Sequence, residues 1–358
     1  MTLTEDERAV VFLDALSKLE YVHKYGLFKF LKKPSELFTD KSAVLKYFKS
    51  VGKESYSGAI LTALKDEKFV EELILGGVEK ADGVITYFSK DYPEELKNIQ
   101  NPPLALYYKG NKDLLKSEKK FSIVGSRKTL GEYLVKTEDI SKRLSEAGVT
   151  VVTGIAEGGD KSAIDGAIKS GNIISVFAGG VDVIYPKRHE DLINKVAEKG
   201  LIISEKPCGA PALSYMFIMR NRIIAGLGKG TLIVSGGANS GTRHTAEFAL
   251  VCGREVCCFP YGFGEAGRVC KDLLKNGATM VESAEEVAET VGFDLKPQKN
   301  VLLSGEEKMI LGLIENGVTE ADEIIASSPF STQKTIETLA SLEIKRVIAK
   351  TLNSYGAI

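Results

Sequence analysis

Cationic side chains stand beside glycine in several short turns of this 358-residue chain. The first turn, Gly125-Ser126-Arg127-Lys128, follows the apolar run Phe121–Val124, which is typical of a buried parallel strand. A strand that passes through glycine into a helix can bind phosphate, because the helix N-terminus presents free N–H groups. A dinucleotide-binding turn has a second glycine two residues after the first, and here Arg127 occupies that position. The turn therefore favours the phosphates of a nucleic-acid backbone over a nicotinamide cofactor.

Three more cations and one aromatic residue follow later turns of the chain: Lys187, Phe217, Arg220 and Arg222. Single-stranded DNA is bound by cations along its phosphates and by aromatic faces against its bases. Arg220 and Arg222 are about 200° apart around an α-helix. We therefore expect one of them to face DNA and the other to pair with a carboxylate such as Asp160 or Glu205. The sequence leaves open which arginine does so, and it also allows a core position for the phenylalanine and a solvated one for the lysine.

Apolar runs that end in glycine alternate with helical stretches between residues 115 and 292. This alternation predicts a parallel sheet with helical crossovers, whose glycine-ended turns share the edge at the carboxyl ends of the strands. Five residues are expected to shape that edge: Gly125, Gly154, Asp160, Gly180 and Gly241. Asp160 is expected to cap the helix that it opens. Ser240-Gly241-Thr242 is a second candidate anion site, formed by hydroxyl and N–H groups.

The composition is ordinary for a globular protein, with 44% hydrophobic and 27% charged residues and a net charge of −1. A nucleic-acid surface would therefore have to be a local patch. No apolar run is as long as a membrane span, and the N-terminus lacks a secretory pattern. The five cysteines are odd in number and show no C-x-x-C spacing, so we expect reduced thiols and a cytoplasmic protein. We expect no metal and no cofactor, since the three histidines are scattered.

Three domains and one linker are expected along the chain. Residues 1–110 are helical in pattern, with a short strand-containing connector near their end. Residues 111–292 are the α/β core, and residues 293–304 form a polar linker with a proline. Residues 305–358 have three helical segments followed by a strand pair, which is the order of a winged helix.

Seven short motifs resemble, in their order and spacing, those of the DprA/Smf DNA-processing family. They are Ile123–Arg127, Thr153–Asp160, Asp182–Pro186, Ser204-Glu205, Arg220–Leu227, Ser240–Thr242 and Gly253–Val256. The resemblance covers nearly the whole chain. The chain departs from the family pattern at Gly159, Ile164, Ser235 and Lys271.

This resemblance implies both a fold and a function. The fold would be a helical N-terminal domain of the SAM or helix-hairpin-helix type, an extended Rossmann-like core and a C-terminal winged helix. The function would be that of a non-enzymatic homodimer that binds single-stranded DNA cooperatively and loads the RecA recombinase in natural transformation. The DNA ligands would be Ser126, Arg127, Lys128, Lys187, Phe217, one of Arg220 and Arg222, Ser240 and Thr242.

A nucleotide hydrolase is the alternative that the sequence leaves open. The loop from Gly236-Gly237 to Gly241-Thr242 resembles that of the LOG phosphoribohydrolases, which act on nucleoside monophosphates. These enzymes have a catalytic glutamate shortly after their Gly-Thr pair. Glu247 would have this role here, although it lies five residues beyond Thr242, on the helix that follows.

A duplex-binding regulator is a third possibility, which would act through the winged helix. Its third helix is expected to point Gln333, Lys334 and Glu337 outward and Ile336 and Leu339 inward. One lysine beside one glutamate is a poor set of contacts for the major groove of DNA. Arg346 and Lys350 on the wing would contribute little more to duplex binding. We therefore expect this domain to be a protein-contact or regulatory module instead.

Overall fold

The computed structural model describes residues 2–16, 18–238, 240–262, 264–295, 303–345, 347–351 and 354–357. Most of the predicted linker, residues 296–302, lies outside the described residues, as does Arg346. The chain divides into two compact units, residues 1–295 and residues 296–358.

Six helices begin the first unit: α1 (Glu5–Ala15), α2 (Tyr21–Phe30), α3 (Glu36–Thr39), α4 (Lys41–Ser50), α5 (Glu54–Ala63) and α6 (Glu67–Val78). Polar side chains fix where several of them begin. Thr4 and Glu7 form a capping box at α1, and the carboxylate of Asp66 accepts a hydrogen bond from the third residue of α6. Phe12, Phe28 and Phe48 are fully buried among these helices. The predicted helical N-terminus is thus confirmed.

A nine-stranded sheet follows: β1 (Gly83–Thr86), β2 (Ala105–Gly110), β3 (Lys120–Val124), β4 (Thr150–Thr153), β5 (Ile173–Val176), β6 (Leu201–Ser204), β7 (Gly230–Ile233), β8 (Glu255–Cys258) and β9 (Thr279–Met280). The strand order is β1-β2-β6-β5-β4-β3-β7-β8-β9. Strand β2 is antiparallel to β1 and β6, and the other neighbours pair in parallel. The predicted Rossmann-like α/β class is confirmed.

Eight helices accompany the sheet: α7 (Glu94–Lys97), α8 (Gly131–Glu146), α9 (Gly159–Ala167), α10 (Glu190–Lys199), α11 (Ser214–Leu227), α12 (Gly241–Val251), α13 (Arg268–Lys275) and α14 (Ala284–Thr290). Successive strand residues face opposite sides, so that Ile123 and Val151 join one core while Val124 and Val152 join the other. Burial on both sides explains the apolar runs seen in the sequence.

The strands expected to form a connector before residue 110 are instead part of this sheet, because β2 pairs with β6. The helical segment and the sheet also share one hydrophobic core. A domain boundary at residue 110 stays a prediction; the structure shows one compact unit up to residue 295.

The second unit has helices α15 (Gly305–Glu315), α16 (Ala321–Ser327) and α17 (Thr332–Ile344), followed by the antiparallel strands β10 (Ile348–Thr351) and β11 (Ser354–Ala357). Its own core includes Ile310, Ile324 and Leu342. Leu339 is buried as expected, but Ile336 is 53% exposed, so its predicted inward position is wrong. Thr335 and Thr338 are the buried neighbours on that helix.

A buried ion pair fastens α11 to the end of β6. Arg222 donates to both carboxylate oxygens of Glu205, from Nη2 at 2.6 Å and from Nη1 at 3.2 Å. Its Nε donates to the carbonyl of Asn101 at 3.1 Å. The Arg222 side chain is 4% exposed and that of Glu205 is 13% exposed. Burial alone would raise the pKa of Glu205, but the charge of Arg222 holds that pKa below its ordinary value. Arg222 is therefore the arginine that braces a carboxylate.

Replacing this arginine should destabilise the protein. We expect Arg222→Ala to lower the free energy of unfolding by about 3–5 kcal/mol, because it leaves the Glu205 charge buried without its partner. Urea unfolding measures the change. The matched control is Lys68→Ala, which removes an exposed pair with Glu72 at 3.7 Å and should change stability by less than about 0.5 kcal/mol. Equal effects of the two substitutions would contradict the bracing role.

Candidate nucleic-acid interface

A cleft of about 530 Å³ opens at the carboxyl ends of the central strands. It lies between the turn after β3, the turn after β4, helix α11 and the turn after β7, and we call it the rim cleft. The structure brings ten of the predicted residues to its walls: Gly125, Ser126, Arg127, Lys128, Asp160, Phe217, Arg220, Ser240, Gly241 and Thr242.

Asp160 ties two of these turns together. Its buried carboxylate accepts hydrogen bonds from the backbone N–H of Gly125 at 3.2 Å and of Ala156 at 3.3 Å. Burial raises the pKa of this carboxyl, and the positive charge of Arg220 acts in the opposite direction. The predicted cap is wrong, since Asp160 is the second residue of α9 and holds the preceding loops.

Gly125 and Gly159 allow the first turn to touch the start of α9. A Cβ atom on Gly125 would lie 2.7 Å from the Cα of Gly159, closer than real Cβ contacts. The backbone of the first turn and that of α9 therefore approach each other as closely as only glycine permits. This close approach places Arg127 beside α9.

Arg220 lies in the floor of the cleft and is 4% exposed. Its Nη1 donates to the carbonyl of Val176, and its guanidinium is 5.9 Å from the centre of the Phe217 ring. Its Nε is buried without a hydrogen-bond partner among the described residues. Arg220 thus borders the cleft from below and supports the half-buried Phe217.

Arg127 and Lys128 are the exposed cations of the cleft. Within the described ranges, no residue accepts a hydrogen bond from either side-chain cation. The N–H groups of Ser126 and Lys128 are already bonded, to Ser235 Oγ at 3.0 Å and to Ser126 Oγ at 3.1 Å. A phosphate at this turn would therefore be bound by the side-chain cations and not by these two N–H groups.

Several polar groups of the turn before α12 are already hydrogen-bonded within the protein. Ser240 caps the helix and accepts from the N–H of Thr242, while Thr242 Oγ1 donates to the carbonyl of Ser235 at 3.0 Å. Glu265 accepts from the N–H of Ala238 at 2.7 Å and lines the cleft. Thr242 is thus held inside the protein, and Ser240 is the half-exposed hydroxyl of this turn.

Four predicted residues are not among those that line the rim cleft: Gly154, Gly180, Lys187 and Arg222. Arg222 is neutralised by Glu205, so it is no longer a candidate ligand. Lys187 is exposed beyond Pro186, and Gly180 packs against the backbone of residues 207 and 208.

Tyr185 is a candidate that sequence reasoning missed. Its ring centre is 5.4 Å from that of Phe217, and the side chain is 42% exposed. The signal was present as an aromatic residue two positions before Lys187.

Glu247 is not part of the cleft wall. It is exposed on α12, where its Oε2 accepts from Nδ1 of His244 at 3.2 Å. This position does not favour a catalytic role in a nucleotide hydrolase. No group of three or more His, Cys, Asp or Glu side chains in the described ranges could hold a metal ion.

Comparison with known proteins gives concordant matches. The family model of DNA recombination-mediator protein A matches residues 83–292. DNA processing protein DprA of Bacillus subtilis is 35% identical over 226 residues, which cover 62% of this chain and 74% of that protein. Protein Smf of Escherichia coli is 32% identical over 285 residues, which cover 75% of each protein.

Two solved structures are similar as well. DNA processing protein A of Streptococcus pneumoniae has a TM-score of 0.64 and 27% identity, covering 82% of this chain and 100% of that chain. DNA processing protein A of Helicobacter pylori, described for its single-stranded DNA binding mode, has a TM-score of 0.54 and 25% identity, covering 58% of this chain and 94% of that chain. The matched region spans more than half of the sequence and contains the rim cleft, and the chain therefore belongs to the DNA recombination-mediator protein A family.

Proposed function

We propose that the rim cleft binds single-stranded DNA and that the protein passes this strand to a recombinase. The observation that best supports this proposal is that two exposed cations and an aromatic side chain line one cleft. Arg127 and Lys128 are exposed at its mouth, and Phe217 is half-buried beside them. Cations for phosphates next to a ring for bases are the two parts that a single strand requires.

The buried and the exposed groups have different roles in the proposed mechanism. Asp160 and Arg220 fix the turns after β3, β4 and β5, so the backbone that carries the exposed cations is held in place. Arg127 and Lys128 then contact phosphates, and these phosphate contacts carry no sequence information. Ser240 adds a hydroxyl on the opposite wall, and the carboxylate of Glu265 limits how closely a phosphate approaches the turn after β7.

The proposed partners rest on family membership. We infer a cytoplasmic homodimer that protects an incoming strand during natural transformation and loads RecA on it. The relative from Helicobacter pylori is described as a single-stranded DNA binder, which supports the first of these partners. Two clefts side by side in a dimer would make binding of one strand cooperative. The protein would act by binding alone, without catalysis.

The second unit is proposed to be a winged helix that contacts a protein. Residues 303–358 contain eight acidic and five basic residues, a charge balance that repels a duplex. Lys334, the lysine expected to face outward on α17, pairs with Glu306 at 3.0 Å. The exposed Ile336 lies on the same helix and suits a protein surface better than a DNA groove.

Removing the Arg127 side chain should weaken single-strand binding. We expect Arg127→Ala to lower affinity by roughly tenfold and to reduce the log–log salt slope by about 0.7 for each phosphate that the protein no longer neutralises. Fluorescence anisotropy of a labelled strand and its duplex, across a salt series, measures both. The wild type should prefer the single strand.

Lys169→Ala is the matched control for this experiment. Lys169 is an exposed cation just beyond the C-terminal end of α9, about 15 Å from the end of that helix at the cleft. The Lys169→Ala variant should bind the single strand with the affinity of the wild type. Equal affinities of Arg127→Ala and the wild type, or no preference for the single strand, would contradict the proposed function.

The second unit by itself should bind duplex DNA poorly. We expect a fragment of residues 301–358, which includes the separate core described above, to bind duplex with a Kd weaker than about 10⁻⁶ M at physiological salt. Circular dichroism confirms that the fragment is folded, and anisotropy measures binding. Tight, salt-sensitive duplex binding would make this unit a DNA reader.

A further inference from the structure

A small pocket adjoins the rim cleft on the side of β4. It has a volume of about 110 Å³ and shares Arg127, Ala156 and Phe217 with the cleft. Its other lining residues are Ile155, Glu157, Tyr185, Pro186 and Arg188. We call it the side pocket. The side pocket is smaller than a cavity of about 150 Å³ that encloses a benzene ring, so it can receive the edge of a base but not a whole ring.

The apolar wall of the side pocket suits a flat ring. Tyr185 and Phe217 contact each other with their rings tilted by 55°, and Pro186 follows Tyr185. Tyr185 is 42% exposed, so part of this residue is accessible to a ligand. Aromatic faces next to a phosphate-binding cleft are where nucleic-acid proteins stack a base.

The polar wall presents a charged acceptor. Glu157 Oε2 accepts from Arg188 Nε at 2.9 Å and from His189 Nε2 at 2.9 Å. The hydrogen bond from His189, and to a smaller extent Arg188, hold the pKa of Glu157 below its ordinary value. Its other oxygen, Oε1, accepts no hydrogen bond from the residues that the structure describes. An ionised carboxylate only accepts hydrogen bonds, so its ligand must donate.

Arg127 is a donor that lines the same pocket as this acceptor. It lines the rim cleft as well, and its guanidinium can donate to a ring nitrogen or carbonyl. The edge of cytosine has this combination, with an amino donor next to a ring nitrogen and a carbonyl. Thymine has a carbonyl where cytosine has the amino group, and that carbonyl would face the carboxylate.

We propose that the side pocket receives the edge of one base of the bound strand and that Glu157 makes it prefer cytosine to thymine. Tyr185 stacks on this base, and Arg127 joins the base to the phosphate in the cleft. The inference rests on the proposed single-strand function and adds to it a base-specific contact.

The test compares strands of roughly 20 nucleotides of three kinds, all cytosine, all thymine and abasic, by anisotropy at pH 8. The quantity compared is the ratio of the affinity for the cytosine strand to the affinity for the thymine strand. This ratio is expected to be about three- to tenfold larger for the wild type than for Glu157→Gln. Tyr185→Ala is expected to lose roughly tenfold in affinity for base-bearing strands and nothing for the abasic strand. Tyr185→Phe keeps the ring and should bind like the wild type.

The outcomes separate this inference from the function on which it rests. If Arg127→Ala weakens all three strands but Glu157→Gln leaves the ratio of cytosine to thymine affinities unchanged, the cleft binds DNA and the base preference is refuted. If Tyr185→Ala weakens the abasic strand as much as the others, the stacking role is refuted. If the wild type binds no strand, the proposed function and this inference are both refuted.

Discussion

The buried carboxylate of Asp160 is the interaction on which the candidate interface depends. It accepts backbone hydrogen bonds from the turn after β3 and from the turn after β4, and Arg220 lies beside it. A buried charge is costly unless its hydrogen bonds are satisfied, so these loops stay where the carboxylate can reach them. The conformation of the Gly-Ser-Arg turn is thereby set from within the protein, and Arg127 is free to face solvent.

This arrangement separates two kinds of arginine. Arg222 and Arg220 are buried and hold strand ends, through Glu205 in one case and through Val176 in the other. Arg127 makes no comparable contact with the described residues and is exposed. A protein with a net charge of −1 can thus offer a cationic surface, because buried cations keep the loops fixed while exposed ones remain available.

The sequence predicted the fold well, because parallel strands buried on both faces are apolar runs and their glycine-ended turns must share one edge. It also placed most of the cleft residues. It could not tell Arg220 from Arg222, since helical spacing shows that they diverge but not which carboxylate each meets. The role of Asp160 was missed because a capping residue and a residue that ties distant loops look alike in sequence. The positions of Tyr185 and Glu265 depend on tertiary packing between segments far apart in the chain.

Amide hydrogen exchange, with and without a saturating single strand, tests the central claim most directly, because it reports on every segment of the intact protein at once. The account predicts slower exchange in residues 125–130, 155–160 and 213–221, the segments that surround Asp160 and the rim cleft. Unchanged exchange in these segments, with protection confined to residues 303–357, would contradict it.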